Sequence, residues 1–171
     1  RLRRLDLRVH AAILEIDPAT WAVHRHSLAV DPPWTLGVGV DLVLTADGAK
    51  AYVSDAANGI VLAVEVPPTP GPGAWSVTPI DVAGATTPAV LPGSLAIAGG
   101  YLYILDLLGE DGATKPTGAA VLRIADDVLE PTVIGYTAPA GTTGGILDMP
   151  VLESSRDGAT VLISAAAEID D

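Results

Sequence analysis

Asp55 and Asp106 each close a short apolar run, YVSD and YILD, and they lie 51 residues apart. A carboxylate that recurs at the end of the same kind of strand can serve in two ways. It can accept hydrogen bonds from the amides of the turn it opens, the ordinary role of Asp in loops. It can also present hard oxygen to Ca²⁺ or Mg²⁺. Residues of suitable chemistry for the same site are Asp41, Asn58, Asp148 and the Glu110-Asp111 pair, with Trp34 adding an aromatic surface and Lys115 a cation. His24 and His26 form a second group: they alternate on one expected strand and so point to one side of it. Two imidazoles on one face suit Zn²⁺, but the strand reads as an outermost one, where an exposed edge is the ordinary setting. With His10 these are the only histidines, all within the first 26 residues, which argues against a Ser-His-Asp triad with the later carboxylates. The chain has no cysteine, so thiol catalysis, disulfides and cysteine metal clusters are excluded. It also lacks the G-x-S-x-G, G-x-G-x-x-G and P-loop signatures.

Charge narrows the choice of partner. The formal net charge is −12, and four of the nine basic residues (Arg1, Arg3, Arg4 and Arg8) fall in the first eight positions. Beyond them five basic residues face 20 acidic ones. Such a surface repels phosphate backbones, which are bound by clustered Lys and Arg, so nucleic acid is not an expected partner. No window approaches the roughly 18 uninterrupted apolar residues of a membrane-spanning helix.

The elements that must position these residues are short strands. Hydrophobic residues make up 49% of the chain, yet Phe is absent and aromatics reach only 4%. The apolar mass is therefore Val, Ile, Leu and Ala, which packs well on pleated sheets. Residues 41–66, DLVLTADGAKAYVSDAANGIVLAVEV, read as strand, Asp47-Gly48 turn, strand, Asn58-Gly59 turn, strand; both turn pairs favour the positive φ of two-residue hairpins. A fourth strand, WSVTPIDV, follows a Pro/Gly connection. A second copy begins at Ser94 with SLAIAGGYLYILD and continues, after a long loop, with AAVLRIAD and PTVIGYTAP. A third, partial copy is VLESSRDGATVLIS, whose Asp157-Gly158 lies 110 residues after Asp47-Gly48. Ahead of the first copy, ILEIDPATWAVHRHSL supplies two more strands, with Trp21 in the place of Trp75.

Four short strands repeated every 50 to 60 residues match the blade of a β-propeller. A β-sandwich also has many short strands, but recurrence of one turn between comparable strands favours the propeller. The expected fold is therefore all-β: a partial propeller with a half-blade at 9–30, full blades at 41–82 and 93–138, and a half-blade at 147–166. Propellers typically have four to eight blades. Two routes complete the ring: further sequence of a longer chain, or a second copy, since two chains of this kind make six blades under closed symmetry.

The segment ADGAKAYVSDAANGIVLAVEV, together with LYILD and GAAVLRIAD, resembles the blade core of YVTN-type and NHL-type propellers and of gluconolactonase-like and yellow/royal-jelly-like six-bladed proteins. The resemblance favours an extracytoplasmic setting. In gluconolactonase-like enzymes a divalent metal is held at the pore by Glu, Asn and Asp near the starts of inner strands. The corresponding stretches here are Val40-Asp41-Leu42 and Gly93-Ser94-Leu95. Neither reproduces the ligand pair, and Asp41 is the residue that carries over.

In propeller geometry one end of the blades collects Trp34, Asp41, Asp55, Asn58, Asp106, Glu110, Asp111, Lys115 and Asp148. The loop over 107–118 is longer than its counterpart at 56–59, and insertions on one face of a repeat protein often mark the binding side. The leading expectation is a binding or scaffold module that recognises a small molecule or protein through this end. The alternative is a metal-dependent hydrolase of the gluconolactonase type, with Asp55 and Asp106 as ligands to Ca²⁺ or Mg²⁺, acting on a lactone or ester.

Overall fold

The computed structural model describes residues 12–28, 41–69, 75–87, 89–106, 118–130, 133–135, 142–146, 151–164 and 167–169. These form an all-β protein of several open antiparallel sheets with one short helix. The first full sheet contains β3 (Leu42–Leu44), β4 (Lys50–Asp55), β5 (Ile60–Glu65) and β6 (Ser76–Asp81), hydrogen-bonded in that order. The second contains β7 (Pro92–Ala98), β8 (Tyr101–Asp106) and β9 (Gly118–Arg123), followed by a divided fourth strand. Its two pieces, β10 (Val128–Leu129) and β11 (Ile134–Gly135), pair with opposite ends of β9.

Two hairpins flank these sheets. The head hairpin joins β1 (Ala12–Ile16) to β2 (Val23–Ser27). The tail hairpin joins β13 (Val151–Ser154) to β14 (Val161–Ser164), and β12 (Thr142–Ile146) pairs with β15 (Ala167–Ile169) outside it. The expected strand at 75–82 ends one residue early. Asp81 accepts a hydrogen bond from the Gly84 amide and caps a single helical turn, α1 (Val82–Ala85). Asp is a favoured N-cap, and that signal was legible in the run DVAGA.

The sheets lie face to face, and strand alternation assigns each side chain to one neighbour or the other. On β4 and β5, Ala51, Val53, Ile60, Leu62 and Val64 are buried against the head hairpin's Ile13 and Leu28. The intervening Tyr52, Val61 and Ala63 are buried against Leu95, Leu102, Ile104, Ala120 and Leu122 of the second sheet. That sheet in turn uses Ala96, Leu105 and Ala119 against Leu152 of the tail hairpin. Being covered on both faces, β4 and β5 are buried along nearly their whole length, and IVLAVE reads as a nearly continuous apolar run instead of an alternating one.

The turn of the first sheet is rebuilt in the tail hairpin. Thr45 Oγ1 donates to Asp47 Oδ1 and the Ala49 amide donates to the same oxygen, while the Lys50 amide donates to Thr45 Oγ1. Ser155, Asp157, Ala159 and Thr160 repeat all three bonds. In both turns the hydroxyl first, and then the amide, holds the Asp carboxyl below its ordinary value. A carboxyl lowered in the folded state stabilises it above the unfolded value of about 4, and that stability is lost as pH falls through the lowered value. Urea midpoints measured from pH 7 to pH 2 should therefore fall in acid, and Asp47→Ala should both lower the neutral midpoint and flatten part of the acid dependence.

Glycine matters most at Gly59, where φ is +68° and an added Cβ would meet the Ala83 Cβ at 2.5 Å. Gly48 shares the positive φ but faces open space. Gly48→Ala should cost about 1–2 kcal/mol through backbone strain alone. Gly59→Ala should cost distinctly more, which chemical denaturation of the two variants would show.

Candidate functional site

The site is built where β3, β7 and β13 begin. Asp41 immediately precedes β3, and its backbone is locked to β4 by paired bonds with Ser54: the Ser54 amide donates to the Asp41 carbonyl, and the Asp41 amide donates to Ser54 Oγ. Its carboxylate turns toward the second sheet. Oδ2 accepts from Ser94 Oγ at 2.9 Å and from the Leu95 amide at 2.8 Å, and Oδ1 accepts from the Leu42 amide at 2.7 Å. Ser94 Oγ itself accepts from the Leu152 amide at 3.0 Å. One relay thus ties the starts of β3, β7 and β13: Leu152 N–H to Ser94, and Ser94 O–H to Asp41. The hydroxyl donates and accepts at once, which lets each bond polarise the next.

Asp55 and Asn58 lie at the same end. Asp55 is buried, and its carboxylate accepts from the Asn58 amide and from Asn58 Nδ2 at 2.8 Å. Asp106 is also buried and accepts from the Leu91 amide at 2.9 Å. Each therefore caps the backbone where the chain turns, the first of the two roles open to a recurrent Asp. Among the described residues no three His, Asp or Glu side chains converge as a metal-binding group. Both Asp55 oxygens and Asp106 Oδ1 accept from amide donors. Trp34, Glu110, Asp111, Lys115, Asp148 and the 107–117 insertion lie outside the described residues.

The opposite end of the interface carries a charged clamp that sequence spacing did not suggest. Tyr52 O–H donates to Asp127 Oδ1 at 2.6 Å, and Lys50 Nζ donates to Asp127 Oδ2 at 2.8 Å. Glu65 stands 3.5 Å from the same ammonium. Burial, reinforced by the Asp127 carboxylate, pushes the Tyr52 hydroxyl far above its ordinary value and keeps it protonated. For Lys50, partial burial pulls the other way, but Asp127 and Glu65 hold the ammonium above its usual range. Asp127 reaches this position from a turn in which its own φ is +57°, a conformation Asp tolerates better than most residues.

His26 is placed differently from the exposed edge expected of it. His26 is only 3% exposed. Its ring stacks on Trp75, with centroids 3.9 Å apart and planes 21° from parallel, and its Nε2 lies 2.9 Å from Glu15 Oε2. The hairpin's inner face, with Ile13 and Glu15, packs on the first full sheet and carries His26 inward. A sequence signal existed in Glu15, which sits on the neighbouring strand, but the Trp75 partner is 49 residues away and was not legible.

Compared with known proteins, the chain matches no family model and no curated sequence.

Ser94→Ala should cost about 1–3 kcal/mol, because the Leu152 amide loses its buried acceptor. Asp41→Ala and Ser94→Ala together should cost less than their sum, as expected of residues in one network. Urea denaturation of the two single variants and the double variant would measure that coupling, and faster amide exchange at Leu152 would locate it.

Proposed function

We propose that the chain is a run of β-propeller blades, two full blades over 41–82 and 93–138 flanked by half-blades over 9–30 and 147–166. We read it as a binding or scaffold module that recognises a small molecule or a protein through the end bearing Asp41, Asn58 and Asp106. The observation that carries this reading is the order of the stack. Each four-stranded sheet packs its two faces on its sequence neighbours. The innermost strands β3 and β7 contact each other, and β7 contacts β13. The Asp41–Ser94–Leu152 relay links those strands at one end. Radial sheets whose first strands gather around a common axis produce this pattern.

Recognition is placed at that end because loops held by a rigid sheet scaffold are where binding groups concentrate. The relay fixes the strand starts from which those loops spring. The strongly acidic composition favours cationic or neutral partners over anionic ones.

Titration calorimetry with Ca²⁺ and Mg²⁺, on the protein and on Asp55→Ala and Asp106→Ala, tests the binding-module reading against the hydrolase one. The expected result is no saturable heat, with each variant less stable by about 1–3 kcal/mol through loss of an acceptor for turn amides. Saturable metal binding that either substitution abolishes would replace it with a hydrolase in which a cation polarises a lactone or ester carbonyl and activates water.

A further inference from the structure

Among the described residues nine large apolar side chains are exposed, and strand register places eight of them, all but Trp21, toward the head or the tail side of the stack and none in the interface between the two full sheets. On the head side, Leu14, Ile16 and Val23 face away from the first full sheet, and Trp21 sits exposed in the turn between β1 and β2. These positions correspond to Leu62, Val64, Val77 and Trp75 of the first full sheet, which the head hairpin covers. Also on the head side, Leu42 and Leu44 share the face of Val53 and Ala51 but extend past the two-stranded hairpin that covers their neighbours. On the tail side, Val128 and Ile134 share the face of Arg123 and Ala119, on the side of the second sheet where the tail hairpin packs. Leu162, 58% exposed, points to the opposite side of that hairpin.

Between β1 and the first full sheet lies a cleft of about 320 Å³ lined by Ile13, Ile16, Leu42, Leu44, Ala51 and Trp75, among others. It occupies the place where two inner strands would sit beside the two outer strands of the head hairpin. The tail hairpin has the complementary composition. Its turn repeats that of β3 and β4 bond for bond, so β13 and β14 correspond to inner strands, and among the described residues no outer strand pairs with them. Within one chain the two hairpins pack on different sheets, at opposite ends of the stack.

We infer that the cleft receives the tail hairpin of a second copy of this chain, with β14 adding to the edge of β1 opposite β2, where no described strand pairs, to complete a four-stranded blade. The repeat fixes the register. Val161 takes the place of Ala51 and Leu162 that of Tyr52, as Asp157 takes that of Asp47. Ile16 takes the place of Val64, since Ile16 pairs with Val23 as Val64 pairs with Val77. Ala51 pairs with Val64 and Tyr52 with Ala63, so Val161 falls opposite Ile16 and Leu162 opposite Glu15. Leu162 then covers Leu42 and Leu44, while the head-side Leu14, Ile16, Trp21 and Val23 meet Val128 and Ile134 of the other copy. Every exposed large apolar position among the described residues acquires an apolar partner. Each copy gives one hairpin and accepts one, so a single two-fold operation closes both sites and makes six blades. The inference rests on the blade reading proposed above.

Light scattering on the protein at native concentration should give twice the chain mass of 17.4 kDa. Because the chain has no cysteine, Ile16→Cys and Val161→Cys can be prepared as separate proteins and mixed. A short bifunctional thiol cross-linker should join them into a covalent heterodimer far more efficiently than it joins either variant to itself. Leu162→Glu, which sets a carboxylate against Glu15 of the other copy, should shift the mass to that of one chain without altering the circular dichroism. A wild-type protein of single-chain mass would overturn the second-copy inference, and so would a dimer that neither cross-links at these positions nor responds to Leu162→Glu. Either result leaves the blade reading to be judged separately by the coupling between Asp41 and Ser94.

Discussion

The apolar interface between the two full sheets is the contact on which the rest of the structure depends. Tyr52, Val61 and Ala63 meet Leu95, Leu102, Ile104, Ala120 and Leu122 there, all nearly or wholly removed from solvent. Fully burying one such aliphatic side chain contributes about 1.5–3 kcal/mol. Neither sheet could be stable alone, because strands covered on both faces would expose two apolar surfaces. The interface also decides where the hairpins go. Once Tyr52 and Val61 are committed to the second sheet, alternation leaves Ala51, Val53, Ile60, Leu62 and Val64 for the head hairpin.

Apolar packing does not by itself set how two sheets are aligned, and polar bonds at the two ends of the interface supply that alignment. At one end Asp41 accepts from Ser94 and Leu95. At the other, Tyr52 and Lys50 converge on Asp127. A slide of one sheet over the other would break both sets and leave buried donors without acceptors, at a cost larger than the bonds themselves contribute. The outward consequence is a fixed spacing of the strand starts, and therefore of the loops that spring from them. Any recognition at that end works from a framework whose geometry is held by buried bonds.

Much of the strand layout was legible in the sequence. The Asp47-Gly48, Asn58-Gly59 and Asp157-Gly158 pairs punctuate it, and the strands fall between them. The recurrence of Asp55 and Asp106 was also legible, but not the amides they cap, because Asp106 meets the Leu91 amide only once β7 and β8 have paired. Ser94 was marked as the start of a strand, not as the hydroxyl that joins Asp41 to Leu152. The reading of His24 and His26 as an exposed edge failed for His26. Alternation placed both on one side, but whether that side met water depended on packing against Trp75.

Local chemistry in the chain thus determined the strands and their turns, because hairpin turns and side-chain alternation act over a few residues. Tertiary structure decided which carboxylates became clamps and which caps. It also decided that His26 is buried, and which apolar faces stay open at the two ends of the stack. The clamps and the burial of His26 depend on contacts between residues about 50 or more positions apart, whereas Asp55 and Asp106 cap amides 3 and 15 positions away. The sequence sets the chemistry of such residues and leaves their meeting to the packing of one sheet on the next.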